Sequence, residues 1–178
     1  AGFFGFYAHA GLVSVLEEEQ LTPERLTGCS AGSLIGGLWA SGCQINALRD
    51  FLFSLKRQDF WDPAFGWGLL SGQRFDQILR ELLGCTHFED THIPIQMAVF
   101  EVATRRTRYV DSGDLALAIR ASCAFPGLFQ PVKIGTEHYL DGSILDRSGM
   151  GGLKGSEFIL YHHLKSRSKM RLGSTIIE

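Results

Sequence analysis

No apolar run in this 178-residue chain approaches the roughly 20 residues that a membrane-spanning helix requires. No charged-then-apolar stretch of the secretory kind opens it either. Charge of one sign is scarce: 17 Lys+Arg stand against 19 Asp+Glu, a net charge of -2, which gives no electrostatic case for nucleic acid. The four cysteines, Cys29, Cys43, Cys85 and Cys123, lie far apart, form no Cys-x-x-Cys and have no histidine at ligand spacing. That pattern speaks against a zinc site and a disulfide framework, and reduced, buried thiols fit a cytoplasmic protein or one peripheral to membranes. Repeats, low-complexity tracts and Pro- or Ser-rich linkers are also missing, so a single domain over 1–178 is expected. The sequence opens at Ala1-Gly2 inside what reads as a loop, and a first strand is expected to precede it.

What is present centres on Gly28-Cys29-Ser30-Ala31-Gly32, a Gly-x-Ser-x-Gly string between an apolar stretch and a small, apolar helical one. A strand that turns sharply into a helix leaves no room for a β-carbon beside the exposed serine, so Gly28 and Gly32 are expected to fill crowded slots. Amides at the start of the following helix, Ala31 first, favour negative charge next to Ser30. Cys29, in the variable slot, reads as a small buried filler.

Upstream, Gly2-Phe3-Phe4-Gly5 is a glycine-punctuated loop running into a helix over 6–19, and its amides can donate to an oxyanion. His9, on that helix, reads as a structural histidine. Downstream, helical spacing marks 45–55 and 71–84, the latter with Ser71 as N-cap and Gly84 as its stop. Between Phe51 and Phe75 the chain is rich in aromatics, among them Phe53, Phe60, Trp61, Phe65 and Trp67. These residues form an acyl-chain wall, a membrane-interface surface or a layer over the core.

A long strand over 93–104, a polar turn and a returning strand at 108–110 come next. Asp111 and Asp114 read as cap and turn residues before a helix over 115–123. The loop Ala124-Phe125-Pro126-Gly127 leads to strands at 132–134 and through His138-Tyr139-Leu140, which end in Asp141-Gly142-Ser143. A serine nucleophile needs a base, and a carboxylate at a strand end is a workable one. A last strand is expected over 157–163, and 165–169 reads as a solvated basic edge.

The glycine loop, the Ser30 motif, the Ser122-x-Ala124-x-Pro126 segment and Asp141-Gly142-Ser143 together resemble the patatin-like phospholipases. The resemblance covers residues from Gly2 to about Ser143. It implies a three-layer α/β/α fold with a central, mostly parallel sheet. It also implies hydrolysis of lipid acyl esters by a serine–aspartate dyad, with no metal and no cofactor. Ser30 would be the nucleophile and Asp141 the base. Gly2, Phe3, Phe4, Gly5 and Ala31 would form the oxyanion and substrate-binding set, supported by Gly28, Gly32 and Gly142. Implied partners are a lipid or acyl-ester substrate and a peripheral membrane contact. After Asp141-Gly142 the family's usual Asn and Pro are replaced by Ile144-Leu145-Asp146-Arg147-Ser148. Other readings keep part of this scheme. His162 or His163 would complete a Ser-Asp-His triad esterase, a related acyltransferase would keep the serine but prefer another acceptor over water, and a non-catalytic module would only bind lipid.

Overall fold

The computed structural model describes residues 5–153, 155 and 158–164. Helix α1 (Gly5–Glu18) buries Phe6, Ala10 and Val13, the stripe that helical spacing predicts. Strand β1 (Leu26–Cys29) delivers Ser30 to helix α2 (Ala31–Ala40), where small residues allow close approach: a β-carbon on Gly37 would press on Ile119 and Met97. Helix α3 (Ile45–Ser54) packs beside α1, and strand β2 (Gly68–Leu70) forms a two-stranded parallel ladder with Gly127–Phe129.

Helix α4 (Gln73–Leu82) starts two residues after the expected cap. Its N-cap is Gly72, in the left-handed region at φ 75°. Ser71, one residue earlier, accepts the Gln73 amide at 3.2 Å and donates its hydroxyl to Asp62, which also accepts the Arg74 amide, so a distant carboxylate helps serve this helix start. Strand β3 (Ile95–Glu101) and β4 (Arg106–Val110) form a hairpin, followed by helix α5 (Leu115–Cys123), capped by Asp114 as expected. Strands β5 (Gly127–Phe129), β6 (Val132–Ile134) and β7 (Glu137–Asp141) complete the set, with a 3-10 turn at Gly142–Ile144.

The α/β architecture is as expected, and its main sheet is mixed. Strands β1 and β3 pair in parallel, while β3–β4, β3–β7 and β6–β7 are antiparallel. Helices α2 and α5 cover the face carrying Ile95, Met97 and Val99, with α1 and α3 continuing from α2 and α4 from α5. On the opposite face the loop 145–153 lies against Thr27, Gln96 and Tyr109. Asp146 organises that loop by accepting from the Tyr109 hydroxyl, the Ser148 hydroxyl and the amides of Ser148, Gly149 and Gly151. This acidic hub lies in the stretch where the sequence departs from the pattern it resembles.

Residues 158–164 carry no strand, contrary to the expectation there; they lie as an irregular segment with His162 against His9. The start of that expected strand, Glu157, and the basic edge at 165–169 lie outside the described residues, as do Gly2, Phe3 and Phe4. No helix among the described residues is long and apolar enough to cross a membrane.

Candidate active site

Ser30 and Asp141 are 111 positions apart in sequence and are brought together by β3. Strand β1 covers β3 as far as Ala98, opposite Cys29; β7 takes over at Val99, opposite Asp141. Because β4 occupies the other edge, β1 and β7 meet end to end along one edge, one running parallel to β3 and the other antiparallel. The residue that leaves β1 and the residue that ends β7 therefore arrive at the same level and on the same face. Ser30 Oγ donates to Asp141 Oδ2 at 2.8 Å.

Ser30 has φ 55° and ψ -119°, a left-handed conformation that costs a β-carbon-bearing residue about 1–3 kcal/mol. Its hydroxyl makes no cap bond to α2, so it stays directed at the carboxylate. The glycine reading holds at Gly28, where a β-carbon would lie 2.7 Å from the Ser33 amide nitrogen and 2.8 Å from the Gly32 carbonyl. It does not hold at Gly32, where a β-carbon would find nothing within 4 Å. The Gly32 carbonyl lies against Gly28, but a β-carbon on Gly32 would point into open space. Gly142 is crowded in the way Gly28 is: a β-carbon there would lie 2.3 Å from the Ala98 carbonyl oxygen.

Asp141 is 2% exposed. Burial pushes its carboxyl above the ordinary aspartate range, while the Ser143 amide, donating to Oδ1 at 2.9 Å, and the Ser30 hydroxyl pull the other way. A carboxylate raised in this manner is a stronger base than an exposed one. Cys29 is buried and its thiol is pushed far up by burial and by Asp141, in keeping with a filler role.

Of the expected oxyanion set, Gly5 and Ala31 are described, and they are neighbours: a β-carbon on Gly5 would lie 3.4 Å from the Ala31 methyl. Ala31 opens α2, so its amide has no carbonyl partner one turn earlier in the helix. His162 Nδ1 sits 3.0 Å from His9 Nδ1, and His163 Nδ1 3.1 Å from the Tyr161 hydroxyl. Neither makes a hydrogen bond to Ser30 or Asp141 among the described residues. His9, held neutral with a pKa lowered to about 4 by burial and by His162, has the partnered, structural setting expected for it. No group of three or more His, Cys, Asp or Glu among the described residues is arranged to hold a metal ion.

The aromatic segment divides. Phe75 is buried and meets Phe60 and Phe129, whereas Phe53, Trp61, Phe65, Trp67 and Leu69 are exposed. Phe125, two residues after α5, is exposed as well. Sequence reading took Ser122 only as part of a loop signature. Its hydroxyl accepts the Ser30 amide at 2.9 Å, a contact across 92 positions that no local pattern announces.

A strand, a strained Gly-x-Ser-x-Gly elbow and a helix on a mixed sheet define the class of α/β proteins built around a nucleophile elbow. A family model described as patatin-like phospholipase matches residues 1–151, and the chain belongs to that family. It is 28% identical over 153 residues to an uncharacterized NTE family protein of Mycobacterium bovis, covering 84% of this chain and 42% of that protein. It is 27% identical over 181 residues to the lysophospholipase NTE1 of Scheffersomyces stipitis, covering 95% of this chain and 12% of that protein. A lysophospholipase nte1 of Aspergillus fumigatus is 25% identical over 155 residues, with 83% and 10% covered. The chain thus spans less than half the length of these curated relatives.

Proposed function

We propose that residues 1–178 act as one catalytic unit, a lipid acyl hydrolase of phospholipase A or lysophospholipase type that works through an acyl-enzyme on Ser30. The observation that carries this reading is the 2.8 Å hydrogen bond from Ser30 Oγ to a buried Asp141 carboxylate at a strained elbow. The family and the lysophospholipase names of its fungal relatives favour the same substrate class.

Asp141 takes the Ser30 proton as Oγ attacks the ester carbonyl. The Ala31 amide, with those of the Gly2–Gly5 loop, stabilises the tetrahedral oxyanion. The proton passes to the departing alcohol oxygen, leaving an acyl group on Ser30. Asp141 then deprotonates a water that attacks the acyl carbonyl; the C–O bond to Ser30 breaks, the fatty acid leaves and Ser30 recovers its proton. Exposed Phe65, Trp67, Leu69 and Phe125 are the side chains for a peripheral contact with the lipid surface.

The test is fatty-acid release from a lysophospholipid by the wild type and by Ser30→Ala, Asp141→Asn, His162→Ala and His163→Ala. Ser30→Ala and Asp141→Asn are expected to lose roughly 10³-fold or more, with both histidine variants active. A histidine variant that falls as far as Ser30→Ala would replace the dyad with a triad.

A further inference from the structure

Where β1 and β7 both end, the edge of β3 is interrupted, and the last turn of α5 lies at that gap. We infer that Ser122-Cys123-Ala124 is a positioning clamp that fixes the proposed nucleophile and base relative to each other. The Ser122 hydroxyl accepts the Ser30 amide N–H at 2.9 Å. The Cys123 thiol donates to the Ser30 carbonyl at 3.3 Å. The Ala124 carbonyl accepts the Asp141 amide at 2.9 Å. Three consecutive residues thus hold both backbone groups of Ser30 and the amide of Asp141.

Ser122 is the centre of the clamp. A hydroxyl has one proton and two lone pairs. The proton goes to the Ala98 carbonyl at 2.7 Å, so the 2.8 Å contact with Ser33 Oγ makes Ser33 the donor. Ala98 is the last residue that β1 covers, and Ser122 therefore joins β3 to the elbow where strand pairing stops. Its side chain is fully buried, so no water competes for these bonds. Burial and the nearby Asp141 charge raise the Cys123 thiol well above the ordinary cysteine range, which keeps it a donor. None of the three residues reaches the reacting atoms. They act through Ser30 and Asp141.

The catalytic consequence rests on the roles proposed for Ser30 and Asp141, whereas the geometric one does not, and two readouts on the full-length chain separate them. In a crystal structure of Ser122→Ala, the Ser30 Oγ to Asp141 Oδ2 distance is expected to exceed 3.5 Å or the Ser30 φ to leave the left-handed region. Unchanged geometry overturns the clamp, whether or not the wild type hydrolyses an ester. On a soluble short-chain ester, kcat of Ser122→Ala is expected to fall about 10–100-fold with KM within twofold, and acylation by a fluorophosphonate to slow in step. Ser41→Ala removes an equally buried hydroxyl at the far end of α2, which donates to the Leu38 carbonyl and touches neither Ser30 nor the clamp, and is expected to keep kcat within about threefold. Equal losses in the two variants, tracking Tm, would mean a merely structural role and overturn the proposal. If Ser122→Ala does not fold, Cys123→Ala carries the test: kcat falls about 3–10-fold and Cys123→Ser, which keeps a donor, restores it. Failure of the serine to restore kcat overturns the proposal.

Discussion

Gly28 and Ser33 approach so closely that a β-carbon on Gly28 would stand 2.7 Å from the Ser33 amide nitrogen, whereas Gly32, between them in the motif, faces open space. The two glycines of one motif thus meet different constraints. Gly28→Ala is expected to destabilise the fold by at least about 3 kcal/mol, the upper range for overpacked sites, because the obstacle is backbone that cannot rotate away. Gly32→Ala is expected to leave Tm nearly unchanged. Thermal denaturation of the two variants decides it, and similar losses would contradict the contrast.

Asp141 carries a charge that its surroundings disfavour. Its pKa is raised in the folded chain, so between the unfolded and folded values the native state holds the proton more firmly. Ionisation of Asp141 therefore works against folding above that window, and the effect disappears below the unfolded value. Asp141→Asn is expected to raise Tm at neutral pH, where the charge it removes works against folding. The acid limb of kcat/KM is expected above the ordinary aspartate value of about 3.9, activity falling as pH drops through it. Calorimetry and a pH–rate profile measure the two effects.

His9 has the opposite sign. Its folded pKa lies near 4 against an unperturbed 6.5, so the unfolded chain takes up the proton first as the solution is acidified. The stability that depends on neutral His9 is complete above pH 6.5 and is lost progressively toward pH 4. His9→Gln is expected to flatten the dependence of Tm on pH over that window. An unchanged slope would remove His9 from the account.

Phe65 and Trp67 are exposed, and the proposed peripheral contact would be made through them. Replacing both with Ser is expected to weaken partition to phosphatidylcholine vesicles about tenfold, the equivalent of 1.4 kcal/mol, while hydrolysis of a soluble short-chain ester is unaffected. Cosedimentation with vesicles reads the first and a colorimetric ester assay the second. Equal partition of the wild type and the variant would mean that these aromatics face something other than lipid.

The elements that sequence made legible are those specified by their own neighbours. The stripe of Phe6, Ala10 and Val13, the strand–Ser30–helix turn and the Asp114 cap each need only a few adjacent residues. What was not legible depends on distant chain. Ser71 looks like the N-cap, but the cap position falls at Gly72 with Asp62 reaching in from outside the helix, and Gly32 looks as crowded as Gly28 although a β-carbon there would face open space. The mixed character of the sheet, and with it the meeting of Ser30 and Asp141, follows from the pairing of β7 with β3, which no property of 137–141 announces. The expected strand at 157–163 had suitable residues, but 158–164 pairs with no strand of the sheet among the described residues.

The β6–β7 hairpin has two ends with different tolerance. Its tip, at Gly135 and Thr136, has φ 61° at Gly135 and nothing within 4 Å of a β-carbon added there, and Thr136 lies about 17 Å along the strand from Asp141. An inserted peptide there would loop into solvent, so the tip is a suitable graft point for an epitope or a fluorophore. Deleting one residue between Tyr139 and Asp141 would instead turn the carboxylate to the other face of the sheet and break its hydrogen bond with Ser30. Natural length variation in this hairpin is therefore expected to collect at its tip and to spare the last three residues of β7.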